Sequence, residues 1–307
     1  MQPLHIPTPL LESLALSQLV APQVWLKMDA LQPCGSFKIR GIGHACQHYL
    51  AEGAGRFLAS SAGNAGLAVA YAGRKLGVPV TVVVPTTTKP RAIELIEQEG
   101  AQVVINGEDW DAADAHAHSL CQPDWAYIHP FDDPLLWQGH ASLIDEIAAD
   151  GLTPDGIVVA VGGGGLMNGV AQGLDNHGWN KTPILAVETV GTDSLYAAAQ
   201  AGKHIGIDHI TSIATSLGAR KVSARSFELL QTHSIECHRV TDRQAVEACY
   251  RFLRDHRVMV EPACGAALAT VYEQAEFFAN KENVVVIVCG GVGVTLERLA
   301  EWRDQLT

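Results

Sequence analysis

The first stretch whose residue types suggest chemistry is PCGSFKIRG, which runs from Pro33 to Gly41. It places Lys38 beside the aromatic Phe37, after a turn rich in Pro, Gly and Ser and before an apolar, helix-like run. Burial depresses the pKa of a lysine, and a neutral lysine amine is a nucleophile or base suited to Schiff-base chemistry. A solvated lysine at a helix start is the ordinary alternative. A cation is disfavoured at that end of a helix, however, unless a phosphate or carboxylate lies nearby.

Two loops of small residues and glycines follow strand-like segments and precede helix-like ones. In SSAGNAG, residues 60–66, a ligand can approach the backbone closely, and the amides of the next helix can bind a carboxylate. An ordinary N-cap by Ser or Asn explains that loop equally well. In VGGGGLMNG, residues 161–169, four consecutive glycines can surround a phosphate with backbone donors. The same loop imitates a dinucleotide fingerprint with Glu188 as ribose ligand, but Met167 occupies a required glycine position.

Composition excludes several classes of protein. The chain of 307 residues has a formal net charge of −12 and no basic run, which disfavours a nucleic-acid partner. No apolar window is long enough for a membrane helix, and no secretory leader is visible. The seven scattered cysteines are typical of reduced thiols. We therefore expect a cytoplasmic protein without a membrane partner.

The elements that must position these loops follow an alternating pattern. Continuous apolar runs such as VPVTVVVP, GIVVAVGGGG, PILAVE and VVVIVCGG predict strands buried on both faces of a parallel sheet, the last ending near Cys289. Helix-like segments alternate with them, and one of these, AGLAVAYAGRKLG, has Gly77 as its stop signal. DAADAHAHSL, residues 111–120, is interpreted as an ordinary amphipathic helix. The βαβ rhythm predicts a doubly wound α/β fold.

In combination these motifs resemble those of the fold type II pyridoxal-phosphate enzymes, the class of the tryptophan synthase β-subunit, and most of all the short L-serine/L-threonine dehydratases. The blocks GSFKIRG, SSAGNAG, FDDPLLWQGHAS, VGGGGL, VEPACGAALA and VIVCGG extend the resemblance from residue 33 to 291. It implies two doubly wound open-sheet domains with the active site in the cleft between them. Residues 1–37 and 132–307 would form the large cofactor-binding domain. Residues 38–131 would form the small domain, which carries the lysine and the carboxylate loop.

The resemblance also implies a role for each loop. Lys38 would form the Schiff base with pyridoxal 5'-phosphate and then act as general base, while Ser61 or the cofactor phosphate protonates the leaving hydroxyl. Phe37 would flank the pyridine ring and Cys289 would face its nitrogen. Asn64 would bond the ring hydroxyl. The predicted phosphate ligands are Gly162, Gly163, Gly164, Gly165 and Leu166, and the predicted substrate-carboxylate loop is Ser61, Ala62, Gly63, Asn64 and Ala65.

By the same resemblance, Glu188 would belong to a monovalent-cation site, with potassium as the expected ion. A capping or ion-paired role is the alternative for this glutamate. The expected reaction is β-elimination by a homodimer, which converts L-serine to pyruvate and ammonia and L-threonine to 2-oxobutanoate and ammonia. Ala65 stands where many threonine dehydratases and serine racemases have histidine, which favours the serine dehydratase type. The other predicted cation ligands are carbonyls around Thr192, Ser194, Leu217 and Ala219.

Three other functions remain open on the residues alone. The chain could be another enzyme of the same class, either a serine racemase or a β-replacement synthase. It could be a dinucleotide-dependent oxidoreductase, but that leaves Lys38 and SSAGNAG unexplained. It could also be a non-catalytic sensor that binds cofactor and serine without releasing pyruvate. A thiol at Cys289 would not keep the ring nitrogen protonated as a carboxylate would. We therefore expect closely coupled loss of the α-proton and the β-hydroxyl rather than transamination.

Overall fold

Parallel sheets form the centre of both parts of the chain, as the buried apolar runs predict. The computed structural model describes residues 1–306. Contacts divide it into a smaller unit, Met1–Ile6 with Gln32–Gly139, and a larger unit, Pro7–Leu31 with the chain from His140 onward. No helix within residues 1–306 combines the length and the apolarity that crossing a membrane requires.

Residues 1–306 contain ten strands and twelve α-helices. The strands are β1 (Leu10–Glu12), β2 (Gln23–Lys27), β3 (Arg56–Ala59), β4 (Val80–Val84), β5 (Gln102–Ile105), β6 (Trp125–Tyr127), β7 (Gly156–Ala160), β8 (Ile184–Thr189), β9 (Ile235–Val240) and β10 (Asn283–Ile287). The helices are α1 (Leu14–Ser17), α2 (Lys38–Ala51), α3 (Asn64–Leu76), α4 (Pro90–Gln98), α5 (Trp110–Leu120), α6 (Pro134–Ala149), α7 (Gly165–Asn176), α8 (Ser194–Ala201), α9 (Ala224–Thr232), α10 (Asp242–His256), α11 (Pro262–Tyr272) and α12 (Leu296–Gln305).

The smaller unit is built on a four-stranded parallel sheet in the order β5-β4-β3-β6. Its strand β4 has the sequence VTVVV and is buried throughout, because β-branched side chains pack well on a pleated surface. Helix α3 ends where the sequence predicts, at Gly77, whose φ of 70° is left-handed and favours glycine. Helix α5 covers the sheet with Ala113 and Ala117, which pack on Leu58 and Val83.

The larger unit is built on a six-stranded sheet in the order β1-β2-β10-β7-β8-β9. All neighbours are parallel except β1, which runs antiparallel to β2 at one edge. Every residue of α11 is buried, in keeping with the apolar motif VEPACGAALA at its start. Strands β10, β7 and β8 are direct neighbours, so the segments that follow them meet at one edge of the sheet. Those segments carry Cys289 and the tetraglycine loop, and β8 itself carries Glu188.

The compact units differ from the predicted domain bounds at both joins. The side chain of Gln32 accepts from the Ile6 amide at 3.0 Å and donates to the Ile6 carbonyl at 2.9 Å, which ties the segment before Lys38 to the smaller unit. Helix α6 packs against α2 so closely that a Cβ atom at Gly139 would lie 2.7 Å from the Gly41 Cα atom. The smaller unit therefore extends to Gly139 rather than to residue 131. Strand β10 ends at Ile287, two residues before Cys289.

Candidate active site

Lys38 is the first residue of α2, as the turn before it predicts. Its side chain is half-buried, and its Nζ donates to the Pro130 carbonyl at 2.5 Å. The same Nζ lies 5.2 Å from the centre of the Phe37 ring. Two residues earlier, Ser36 Oγ is buried and has no hydrogen-bond partner. The Lys38 amine is thus held by a protein carbonyl rather than by solvent. The buried hydroxyl of Ser36 can still form a hydrogen bond with a ligand.

The loop between β3 and α3 lacks the cap that would explain it as an ordinary helix start. Gly63 is the N-cap residue of α3, and as a glycine it provides no side-chain cap to the first turn. Ser61 Oγ accepts only weakly from the Gly63 amide, at 3.4 Å. A Cβ atom at Gly66 would overlap the Ser61 carbonyl oxygen, so glycine is required there for the loop to close. A helix start without a side-chain cap is a place where an anion such as a carboxylate can bind.

A buried polar network supports this loop from behind. Ser60, which is fully buried, donates from Oγ to the Asp114 carboxylate at 2.6 Å and lies 2.8 Å from the Tyr127 hydroxyl. The Tyr127 hydroxyl donates to the same Asp114 oxygen through a short hydrogen bond. Asp114 belongs to α5, the helix that the sequence interpretation treated as ordinary. One carboxylate thereby joins α5, β6 and the residue preceding Ser61.

The tetraglycine loop joins β7 to α7 and is shaped by residues of α9. Gly164 is the N-cap of α7, has a φ of 92°, and provides no side-chain cap. A Cβ atom there would overlap Ser226 Oγ and lie 2.7 Å from Ser226 Cβ. Ser226 Oγ donates to Asn168 Oδ1 at 2.8 Å, and Asn168 Nδ2 donates to Ser223 Oγ at 2.9 Å. The Ser223 amide donates to the Gly163 carbonyl at 3.0 Å. The loop is therefore held in one conformation, with the first amides of α7 uncapped by side chains.

Cys289 lies in the segment after β10, among other buried thiol and carboxyl groups. A hydrogen bond with Cys264 and burial together raise the pKa of the Cys289 thiol well above its ordinary value. Glu261 packs against the following glycines and accepts from the Gly293 amide at 3.1 Å. Cys289 is consequently a neutral thiol. Cys34, in the lysine motif, is also neutral, because burial raises the pKa of its thiol to about 12.

Glu188 is fully buried and contacts the start of α8. Its two carboxylate oxygens accept from the Leu195 and Tyr196 amides, each at 2.8 Å. This is the capping role that was the alternative to cation binding, although each oxygen retains a second lone pair. Burial raises the pKa of the Glu188 carboxyl to about 8. Ser194 Oγ, at the start of the same helix, is buried and has no hydrogen-bond partner.

The predicted cation ligands lie in two segments of the larger unit. Thr192 and Ser194 are buried next to the capped start of α8, while Leu217 and Ala219 belong to a separate loop. That second loop touches the tetraglycine loop, because a Cβ atom at Gly162 would lie 3.0 Å from Leu217 Cα. Within residues 1–306 no three His, Cys, Asp or Glu side chains gather into a possible metal site. A site made largely of carbonyl oxygens, which suits a hard cation such as potassium, would not belong to that class.

The structure places the predicted residues in two sets, one in each unit. Phe37, Lys38 and the loop from Ser61 to Ala65 belong to the smaller unit. The tetraglycine loop, Leu166, Cys289 and the predicted cation ligands belong to the larger unit. The sequence interpretation missed the supporting residues, since Asp114, Ser226 and Asn168 resemble ordinary polar positions on helices. The one sequence signal for these residues is that a polar side chain lies on the buried face of a helix. That signal can be recognised only once it is known which face of the helix is buried.

The whole chain is similar to known proteins. The sequence matches the family described as "Pyridoxal-phosphate dependent enzyme" over residues 1–290. A human protein named L-serine dehydratase/L-threonine deaminase is 46% identical over 316 residues, which cover 99% of this chain and 96% of that protein. A crystal structure of a fungal L-serine ammonia-lyase from Rhizomucor miehei has a TM-score of 0.95 and 36% identity, with 100% of both chains covered. Threonine deaminase isoform 2 from Solanum lycopersicum has a TM-score of 0.89 and 28% identity, covering 98% of this chain and 88% of that one.

Proposed function

Because the chain belongs to the pyridoxal-phosphate-dependent enzyme family, we propose that it is an ammonia-lyase that converts L-serine to pyruvate and ammonia. We extend the proposal to L-threonine, which would give 2-oxobutanoate and ammonia. The observation that carries it is the position of Lys38, whose amine is held at the start of α2 by a backbone carbonyl. The relatives named for serine and threonine deamination support the choice of substrate class.

The residues present fit pyridoxal 5'-phosphate. The tetraglycine loop offers the uncapped amides of α7 with no side chain to obstruct a phosphate, and Gly162 to Gly165 with the Leu166 amide would hold it. Phe37 would lie against the ring, and Asn64 would bond its hydroxyl. The cofactor supplies an electron sink for the carbanion at the substrate α-carbon, and the protein supplies orientation and proton transfer. Lys38 belongs to the smaller unit and the glycine loop to the larger one.

Proton transfer is assigned to two side chains of the smaller unit. The neutral amine of Lys38 would remove the α-proton of serine, which requires an amine free of covalent attachment at that moment. The Ser61 hydroxyl would give a proton to the departing β-hydroxyl, with the cofactor phosphate as the other possible donor. The amides of α3 and the loop from Ser61 to Ala65 would bind the substrate carboxylate.

The neutral thiol of Cys289 supports elimination over transamination. We assign it to the pyridine nitrogen, where a carboxylate would instead hold a proton on the ring. A neutral thiol at that position would leave less positive charge on the ring, so departure of the hydroxyl would closely accompany loss of the α-proton. The elimination product is then released and hydrolyses to the oxo acid and ammonia.

A potassium ion, a homodimer and a cytoplasmic location belong to the same proposal. The buried, unpartnered hydroxyl of Ser194 supports a cation near Glu188, with carbonyls around Thr192, Leu217 and Ala219 as further ligands. The contact of the Leu217 loop with Gly162 offers a physical link, since a bound ion would stiffen the phosphate loop. The homodimer and the cytoplasmic location follow from the family resemblance and from the reduced cysteines.

The test combines a spectrum with an assay. The purified protein, loaded with pyridoxal 5'-phosphate, should show the visible absorption of a lysine-bound cofactor and release pyruvate from L-serine when potassium is present. Lys38→Ala should bind less cofactor and lose essentially all pyruvate release, whereas Lys75→Ala, a change at a lysine of the same unit on helix α3, should lose none. Formation of D-serine without pyruvate would indicate a racemase. A spectral change without any product would indicate a sensor.

A further inference from the structure

The segment after β6 is held in place by a histidine that the proposed mechanism does not use. His129 Nδ1 accepts hydrogen bonds from two backbone amides, from Asp132 at 2.7 Å and from Phe131 at 3.2 Å. Its ring meets the Phe131 ring edge-on, with centres 4.7 Å apart. The side chain therefore closes a small turn over the residues that follow it, in the way that Asn or Asp closes an Asx turn.

The residue inside this turn is Pro130, whose carbonyl accepts from Lys38 Nζ. Proline has no amide hydrogen, so this residue cannot be held by a backbone hydrogen bond of its own. Its carbonyl direction depends instead on the peptide group that it shares with Phe131, and the N–H of that group points to His129. The far side of the segment is fixed as well, because Trp137 Nε1 donates to the Phe131 carbonyl at 2.9 Å.

The protonation state of His129 follows from its partners. A ring nitrogen that accepts from two N–H groups carries no proton, so the imidazole is neutral with its proton on Nε2. Burial lowers the pKa of His129, and the nearby Lys38 charge acts in the same direction, against the opposing effects of Asp132, Asp114 and Asp133. The acceptor role is therefore compatible with neutral pH.

We propose that His129 is a positioning residue for Lys38: by holding the amides of Phe131 and Asp132, it fixes the Pro130 carbonyl as the place where the Lys38 amine is kept whenever it is not covalently bound to cofactor. This inference rests on the proposed function, in which Lys38 alternates between bound and free states. A fixed acceptor returns the free amine to one position after each release. It also restricts the direction from which the amine can take the substrate proton.

Two substitutions at His129 distinguish the role of its hydrogen-bond acceptor from the role of its aromatic ring. His129→Phe keeps the aromatic packing and removes the acceptor, while His129→Asn removes the ring but supplies an oxygen that can accept from the amide two residues on. His48→Phe serves as control, because His48 lies on α2 of the same unit and is exposed, with an ion pair to Glu52 at 3.2 Å. Each variant is compared with the wild type, both as cofactor-free full-length protein and loaded with cofactor.

The first readout is the rate at which a limiting amine reagent labels Lys38 in the cofactor-free protein, measured by mass spectrometry across a pH series. His129→Phe frees the peptide group that carries the Pro130 carbonyl and so weakens the hydrogen bond that this carbonyl accepts from Lys38 Nζ. The labelling rate should therefore increase about tenfold in His129→Phe, with His129→Asn and His48→Phe within about twofold of the wild type. The second readout is kcat for L-serine, which should fall about tenfold in His129→Phe, while KM changes little. His129→Asn should recover most of kcat.

An unchanged labelling rate in His129→Phe, or an equal loss of kcat in both His129 variants, would overturn the proposal. Either result would mean that the acceptor atom of His129 does not position Lys38. If His129→Phe does not fold, nitrogen-detected NMR of the wild type decides: a neutral ring with its proton on Nε2 at pH 7 supports the role, and an imidazolium or a proton on Nδ1 refutes it. A wild type that releases no pyruvate would refute the proposed function alone. The labelling and NMR readouts use the cofactor-free chain, so they test the role of His129 independently of the proposed function.

Discussion

Replacing Gly164 by alanine adds a single methyl group, which should destabilise the tetraglycine loop. Gly164 has a φ of 92°, a conformation that costs an alanine roughly 1–2 kcal/mol. The added methyl group would also overlap Ser226 Oγ and lie 2.7 Å from Ser226 Cβ, so the serine must move. Its hydrogen bond to Asn168 would then be lost inside the protein, at a cost of about 1–3 kcal/mol. The expected destabilisation is therefore about 2–5 kcal/mol.

Gly178 provides a matched control at the other end of the same helix. It has a φ of 70°, and no atom lies within 4 Å of the place that an added methyl group would occupy, so Gly178→Ala should incur only the backbone cost of about 1–2 kcal/mol. Urea unfolding of the cofactor-free protein measures the free energy of unfolding of both variants. Titration with pyridoxal 5'-phosphate should show that only Gly164→Ala binds the cofactor more weakly, by about tenfold. In a Ser226→Gly background, Gly164→Ala should lower the free energy of unfolding by no more than Gly178→Ala does in the wild type. Equal unfolding free energies for the two alanine variants, with unchanged cofactor affinity, would refute the reasoning.

Three further changes address the other parts of the site. Asp114→Ala removes the acceptor shared by Ser60 and Tyr127, so KM for L-serine should rise about tenfold in steady-state assays, while Asp114→Asn retains most of the affinity. Ser194→Ala should reduce the gain in melting temperature that potassium gives over sodium; an identical gain would remove Ser194 from the cation site. Burial lowers the pKa of His129 below 6.5, so just below pH 6.5 the unfolded chain binds more protons than the folded one, and stability falls as the pH falls. His129→Asn should flatten that part of the stability–pH curve in urea titrations.

The parts of the fold that follow from local sequence were predictable. The β-branched and apolar runs identify the central strands, because strands covered on both faces need apolar side chains at every position. Lys38 could be placed at a helix start because the turn before it is rich in Pro, Gly and Ser. The glycines of the two loops mark close backbone approach, and the structure gives the reason at Gly66 and Gly164.

The supporting side chains could not be predicted, because their partners are distant in the sequence. Ser60 and Asp114 are 54 positions apart, and Ser226 and Asn168 are 58 apart. On a helix, an aspartate such as Asp114 has the same local pattern whether it faces solvent or a buried hydroxyl. The domain bounds depended on long-range contacts too, since Gln32 is held by a residue near the N-terminus.

The strand order of the larger unit has a consequence for how the chain is made. Strand β2 pairs with β10 in the register Gln23 to Asn283, so one of its two neighbours is synthesised 260 residues after it (283 − 23). The smaller sheet instead takes its four strands from one continuous stretch between Arg56 and Tyr127. During synthesis the smaller sheet can be completed while β2 still has an unpaired edge. Nascent chains stalled before β10 should therefore be prone to aggregation through that edge, and dependent on chaperones until β10 has been synthesised.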